Sequence, residues 1–242
     1  MKVLKGLIYL LLLLPITTKA QDTKSTLLGI TEITVKQGHD AQFIEGVKLY
    51  KECYLKNKGT DHWNVWHRVQ GKGNVYVLTG PMAKWADMDK KDPAGDACRS
   101  TVTNFIMPNV ESIEYNIAQT IPEFSMERVE GTKLISVYFF NVKNSTDFNE
   151  VIKGVSTAMK TTDKTSGSYW YTLRGGTPDG ANYFVTTPYK GFADLDIDRD
   201  GVWKIYEKVN GLKATDALRT KFRGAVEKSW SYLYTLSEDL SN

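Results

Sequence analysis

The chain has 242 residues, with 31 Lys and Arg against 28 Asp and Glu, and a formal net charge of +3. Hydrophobic residues make up 41% and charged residues 24%, a balance that suits folded domains rather than a disordered chain. The excess of base does not form a stripe, and this excludes the electrostatic footprint of a nucleic-acid binder.

The first segment, MKVLKGLIYLLLLLPITTKA, has Lys2 and Lys5 before an apolar run, then Pro15 and the small residues Thr18 and Ala20. It reads as a signal peptide over 1–20, too short for a lasting membrane anchor. Its removal takes away Lys2, Lys5 and Lys19 and no acid, which leaves a near-neutral mature chain. The expectation is a periplasmic or secreted protein, with no membrane association after cleavage.

LLGITEITVK, from Leu27, alternates apolar and polar residues and predicts a strand. GHDAQFIEGVKLYKECYLKN follows with apolar residues at helical spacing. HWNVWHRV, QGKGN and VYVLTGP then predict a hairpin around a Gly-rich turn. After WADMD comes a second helical region, and VESIEYNIAQT reads as a closing strand.

The order then repeats. A shift of 107 residues carries Trp63 onto Trp170, Gly73 onto Gly180, Tyr76 onto Tyr183 and Pro81 onto Pro188. WADMD at Trp85 becomes FADLD at Phe192, while the closing strands match at a larger shift, Val110 onto Val226, so the second copy carries a short insertion. The predicted organisation is 1–20 signal peptide, 21–126 first unit and 127–242 second unit. Strand, helix, strand, strand, helix, strand is the ferredoxin-like split unit, whose sheet has helices on one face and needs cover on the other.

On these elements the chain resembles the dimeric α/β-barrel superfamily, which includes antibiotic-biosynthesis-monooxygenase-like and stress-responsive barrel proteins. More narrowly, it resembles exported bacterial proteins with a tryptophan-containing strand and a WADMD-like turn. The resemblance implies an α+β fold, with two tandem ferredoxin-like units packed sheet to sheet as an intramolecular pseudo-dimeric α/β barrel. It also implies a cavity between the sheets, in a monomer with an internal pseudo-dimer or in a homo-oligomer. In such a unit the end of the first helix lies near the start of the second, where Cys53 and Cys98 would sit. Export makes a disulfide between them an option; two separate buried thiols are the alternative.

Strand alternation places His62, Asn64 and Trp66 on one face of HWNVWH and Trp63, Val65 and His67 on the other. The first set, with Tyr169 and Tyr171 from the second copy, is the expected wall of a small-molecule site. The alternative is that these rings fill the barrel by themselves. Cofactor-independent monooxygenases of the superfamily hold an oxidisable aromatic in such a cavity, and haem-degrading relatives use His with nearby Asn and Trp. His62, Asn64 and Trp66 match those residue types without reproducing a family motif, so no catalytic role is carried over. The expected function is therefore binding of a small apolar or aromatic ligand, with an oxygenase in the same cavity or a self-filled structural barrel as alternatives.

One short motif points to a metal. Asp196, Asp198, Asp200, Gly201, Val202 and Glu207 fit the oxygen-ligand spacing of a calcium loop. Against this, the preceding residues predict strand and turn rather than a helix, and Asp200 could equally serve as a helix N-cap. Calcium is the one cofactor the sequence suggests.

Overall fold

The computed structural model describes residues 24–127, 129–162, 167–176 and 179–242. The 1–20 segment lies outside them. Eight strands form one closed antiparallel barrel: β1 (Leu27–Val35), β2 (Asn64–Arg68), β3 (Asn74–Met82), β4 (Val110–Thr120), β5 (Leu134–Val142), β6 (Tyr169–Leu173), β7 (Tyr183–Tyr189) and β8 (Val226–Leu236). The spatial order is β1-β3-β2-β8-β5-β7-β6-β4, so each unit contributes four neighbouring strands and the two units join at β2–β8 and β4–β6. Closure leaves no unpaired edge.

The duplication is written into the strand register. Leu27 pairs with Met82 and Gln119, and its counterpart Leu134 pairs with Tyr189 and Thr235. A register break at Thr34/Val35 recurs at Asn141/Val142.

The helices cover the outside. In the first unit, α1 (Asp40–Lys56) packs a core of Phe43, Val47, Tyr54, Trp63, Val65 and Tyr76 against its sheet. The second helical region is broken into α2 (Pro93–Ala97), α3 (Arg99–Thr101), a π turn at Val102–Ile106 and a 3-10 turn at Met107–Asn109. Gly46 allows α1 to press on this segment, since a Cβ there would stand 2.5 Å from the Phe105 carbonyl oxygen. Cys53 and Cys98 form a disulfide between α1 and the same segment.

In the second unit α4 (Ser145–Thr162) is started by Asn144, whose Oδ1 accepts the Asp147 N–H at 3.1 Å. α5 (Val202–Asn210) and α6 (Leu212–Ala225) follow, separated by Gly211 at φ +81°. These two helices occupy the part of the chain where the sequence repeat shows its insertion. Their core is Phe140, Phe148, Ile152, Trp170 and Val185. A third cluster, including Val75, Val77, Ala118, Val137, Phe184 and Tyr234, lies inside the barrel.

Candidate functional site

The inward face of the barrel does not fill itself. A cavity of about 460 Å³ remains between the two sheets, lined by alternate residues of every strand. The first unit contributes Leu28, Ile30 and Glu32 from β1, Asn64 and Trp66 from β2, Val77, Thr79 and Pro81 from β3, and Asn116 from β4. The second unit contributes Ile135, Val137 and Phe139 from β5, Tyr169, Tyr171 and Leu173 from β6, Phe184, Thr186 and Pro188 from β7, and Tyr234 and Leu236 from β8.

Several contacts fix the rings of this wall. Trp66 donates its Nε1–H to Thr79 Oγ1 at 3.3 Å. Tyr171 stacks on Phe184 with centroids 4.6 Å apart and planes 9° from parallel. The Tyr169 hydroxyl donates to the Glu127 carbonyl at 2.6 Å and accepts the Val129 N–H at 2.7 Å. Phe139 lies against Trp230 at 5.6 Å and Phe184 at 5.8 Å. The wall is therefore stiff, apolar and aromatic, with a few amide and hydroxyl groups, as small-molecule pockets usually are.

Four of the five residues expected from the sequence, Asn64, Trp66, Tyr169 and Tyr171, reach this cavity. His62 does not. β2 begins at Asn64, so strand alternation never reaches His62, which stays exposed in the preceding loop. The other histidines are also outside: His39 faces Asn109 Oδ1 at 3.0 Å, and His67 faces Asn74 Oδ1 at 2.7 Å while stacking on Tyr76. The described lining thus contains no imidazole, so His62 does not join Asn64 and Trp66 on the cavity wall.

The acidic segment lies elsewhere and does not converge. Among the described residues no three His, Cys, Asp or Glu side chains come together to hold a metal ion. Asp196 and Asp198 stand between a 3-10 turn, Phe192–Leu195, and α5, with no helix before them. Asp200 is ion-paired with Lys204 at 2.7 Å and with Lys208, and these two lysines hold its carboxyl below the usual range. Nor is Asp200 the N-cap: α5 starts at Val202 behind Gly201, with no side-chain cap, and Glu207 lies further along the helix.

The repeated Asp has a structural role that accounts for its presence in both copies. Asp87 Oδ2 accepts the N–H groups of Ala83 and Lys84 at 2.9 and 3.1 Å, and Asp194 Oδ2 accepts that of Lys190 at 2.8 Å. WADMD and FADLD are turns closed by a carboxylate.

No protein-family model matches the chain, and none of the curated proteins does. Solved structures do. A chlorite dismutase variant from Candidatus Nitrospira defluvii, in complex with cyanide, superposes with a TM-score of 0.56 at 10% identity, covering 91% of this chain and 93% of that one. A candidate monooxygenase from Lactobacillus acidophilus gives 0.53 at 11% identity over 90% and 98%, and one from Fusobacterium nucleatum gives 0.52 at 13% over 87% and 92%. The chain shares the α/β-barrel fold of these structures. At such identities the likeness is one of fold, and what the barrel does has to be argued from its own cavity.

One lining residue of this α/β barrel was not singled out from the sequence. Glu32 is the only carboxylate among the described lining residues, and its pKa is raised chiefly by burial. Of the charges around it, Arg68 on β2 lowers the pKa and Glu114, directly opposite on β4, raises it. Tyr234 on β8 is itself raised, first by burial and then by Glu32, while β3 presents only Val77 at the paired position.

A raised carboxyl pKa means that the native state holds its proton to higher pH than the unfolded chain. Stability contributed by the protonated form is complete below the ordinary carboxylate pKa and is lost as pH rises through the folded value. Glu32→Gln is therefore expected to stabilise the protein at neutral pH by up to about 1 kcal/mol after allowance for solvent screening. That advantage should disappear under acid conditions in which the wild-type carboxyl is protonated. Thermal melts of both proteins across pH check this, and a gain that does not depend on pH would contradict it.

Proposed function

We propose that this is an exported protein whose barrel binds a small apolar or aromatic molecule between its two sheets. The single observation that carries the reading is the cavity of about 460 Å³, which the barrel's own aromatic side chains leave open. That volume is of the size small ligands use, and its wall offers ring faces with few polar groups. Export is supported by the leader-like first segment and by the Cys53–Cys98 disulfide, a bond that persists in oxidising compartments.

Trp66→Ala separates a ligand wall from a packing role. Trp66 is only half-buried, so its loss is expected to change stability by less than about 1.5 kcal/mol. Equilibrium dialysis with naphthalene should show affinity at least about tenfold weaker. A large loss of stability with unchanged naphthalene binding would assign the ring to packing instead.

The competing reading is turnover of a bound aromatic by oxygen in the same cavity, favoured by the presence of an acid–base group, Glu32, on its wall. Oxygen uptake on addition of an electron-rich aromatic would establish it, and saturable binding without product would exclude it for that compound.

A further inference from the structure

Glu32 is the feature of the cavity that apolar packing does not explain. In the second unit its place is taken by Phe139: Glu32 pairs with Val77 and Glu114, and Phe139 with Phe184 and Trp230, in matching registers. An aromatic side chain therefore fits that position of the repeat. A carboxylate held there instead, in a wall that includes Leu28, Ile30 and Val77, carries a desolvation cost with no return in packing.

The side chain is also uncommitted. Among the described residues Glu32 has no hydrogen-bond or ion-pair partner within the protein, while its charged neighbours are engaged. Glu114 Oε1 accepts from Asn116 Nδ2 at 3.1 Å. Arg68 lies over the Tyr232 ring at 4.7 Å and donates to the Lys72 carbonyl, and among the described residues its buried Nε has no partner. The guanidinium, on the same face of β2 as Asn64 and Trp66, offsets negative charge at Glu32 without forming an ion pair with it among the described residues. This leaves a carboxylate facing apolar space, beside one cation and one further anion.

We propose, on the reading of the cavity as an aromatic-ligand site, that Glu32 selects ligands carrying a hydroxyl group, accepting a hydrogen bond from a phenolic or enolic O–H on a ring system held by Trp66, Tyr171 and Phe184. A carboxylate ligand would add a third negative charge beside Glu32 and Glu114 with Arg68 alone to oppose them. An ammonium ligand would be drawn by the two carboxylates but would give up its hydration in an apolar wall. A neutral hydroxyl supplies the missing donor with no new charge, and a hydrogen bond to an ionised acceptor is among the stronger kinds.

Equilibrium dialysis of 2-naphthol and naphthalene against the full mature protein, at mildly alkaline pH, tests this. The ratio of the two affinities is expected to fall about tenfold in Glu32→Leu, through weaker binding of 2-naphthol itself, and to fall by less in Glu32→Gln. Melting curves confirm that each variant is folded; should the Leu variant not fold, the smaller fall in Glu32→Gln carries the test. A ratio unchanged in the folded variants overturns the role of Glu32 while the cavity remains a ligand site. Failure of the wild type to bind either compound overturns both readings.

Discussion

Replacing Phe148 with Ala is expected to destabilise the protein by about 3–5 kcal/mol, the range for removing a fully buried aromatic ring. Phe148 is 0% exposed. Its ring meets Tyr183 at 4.9 Å, Phe140 at 5.4 Å, Trp170 at 6.0 Å and Phe222 at 6.3 Å, which joins α4 to β5, β6, β7 and α6. The first unit makes the same contact, Phe43 on Tyr76 at 5.0 Å, at the same turn of its own helix. A contact kept in both halves of the duplication marks where the helix layer is pinned to the sheet. Urea denaturation should show the midpoint shift at unchanged slope. A loss below about 1 kcal/mol would mean that the surrounding rings collapse into the space and that no single residue anchors α4.

That pair also shows what the sequence allowed one to read. Most matches between the copies follow a shift of 107, but α1 starts at Asp40 and α4 at Ser145, so Phe43 and Phe148 fall out of that alignment. The strands were legible because alternation has a fixed period and Trp63 and Trp170 mark its outward phase; both rings are buried under the helices. The inward phase gave Asn64, Trp66, Tyr169 and Tyr171. His62 was misplaced because periodicity does not say where a strand begins.

Glu32 was missed although its signal was present. Leu28, Ile30 and Glu32 share one face of a strand whose repeat reads Ile135, Val137 and Phe139, and a lone acid in that series was the anomaly. The acidic loop is the opposite case: its ligand spacing is local, and in the described residues the carboxylates follow a 3-10 turn rather than the entering α-helix of a calcium loop.

The second large effect is expected from the disulfide. Cys53 and Cys98 are 45 residues apart, and a loop of that length gives about 3–4 kcal/mol on the chain-entropy estimate. At about 2–4 °C per kcal/mol for a protein of this size, reduction should lower the melting temperature by roughly 6–16 °C. Asymmetry between the units is the reason to expect the full amount. The second unit covers its sheet with α5 and α6, of 9 and 14 residues, whereas the first has only α2 of 5 and α3 of 3 residues before irregular turns. Helices that short have no stability of their own. Cys98, 0% exposed, ties them to α1 at Cys53, seven residues along the helix from the Gly46 contact with Phe105. Unfolding with and without reductant, alongside a Cys53→Ala, Cys98→Ala double variant, measures the effect. Hydrogen exchange on the reduced protein should quicken first across residues 93–109 while β5, β7 and β8 stay protected. Because that segment leads directly into β4, which closes the barrel between β1 and β6, its release should also weaken naphthalene binding in the cavity. A loss under about 1 kcal/mol, with exchange unchanged over 93–109, would show that packing on α1 alone holds this side of the barrel.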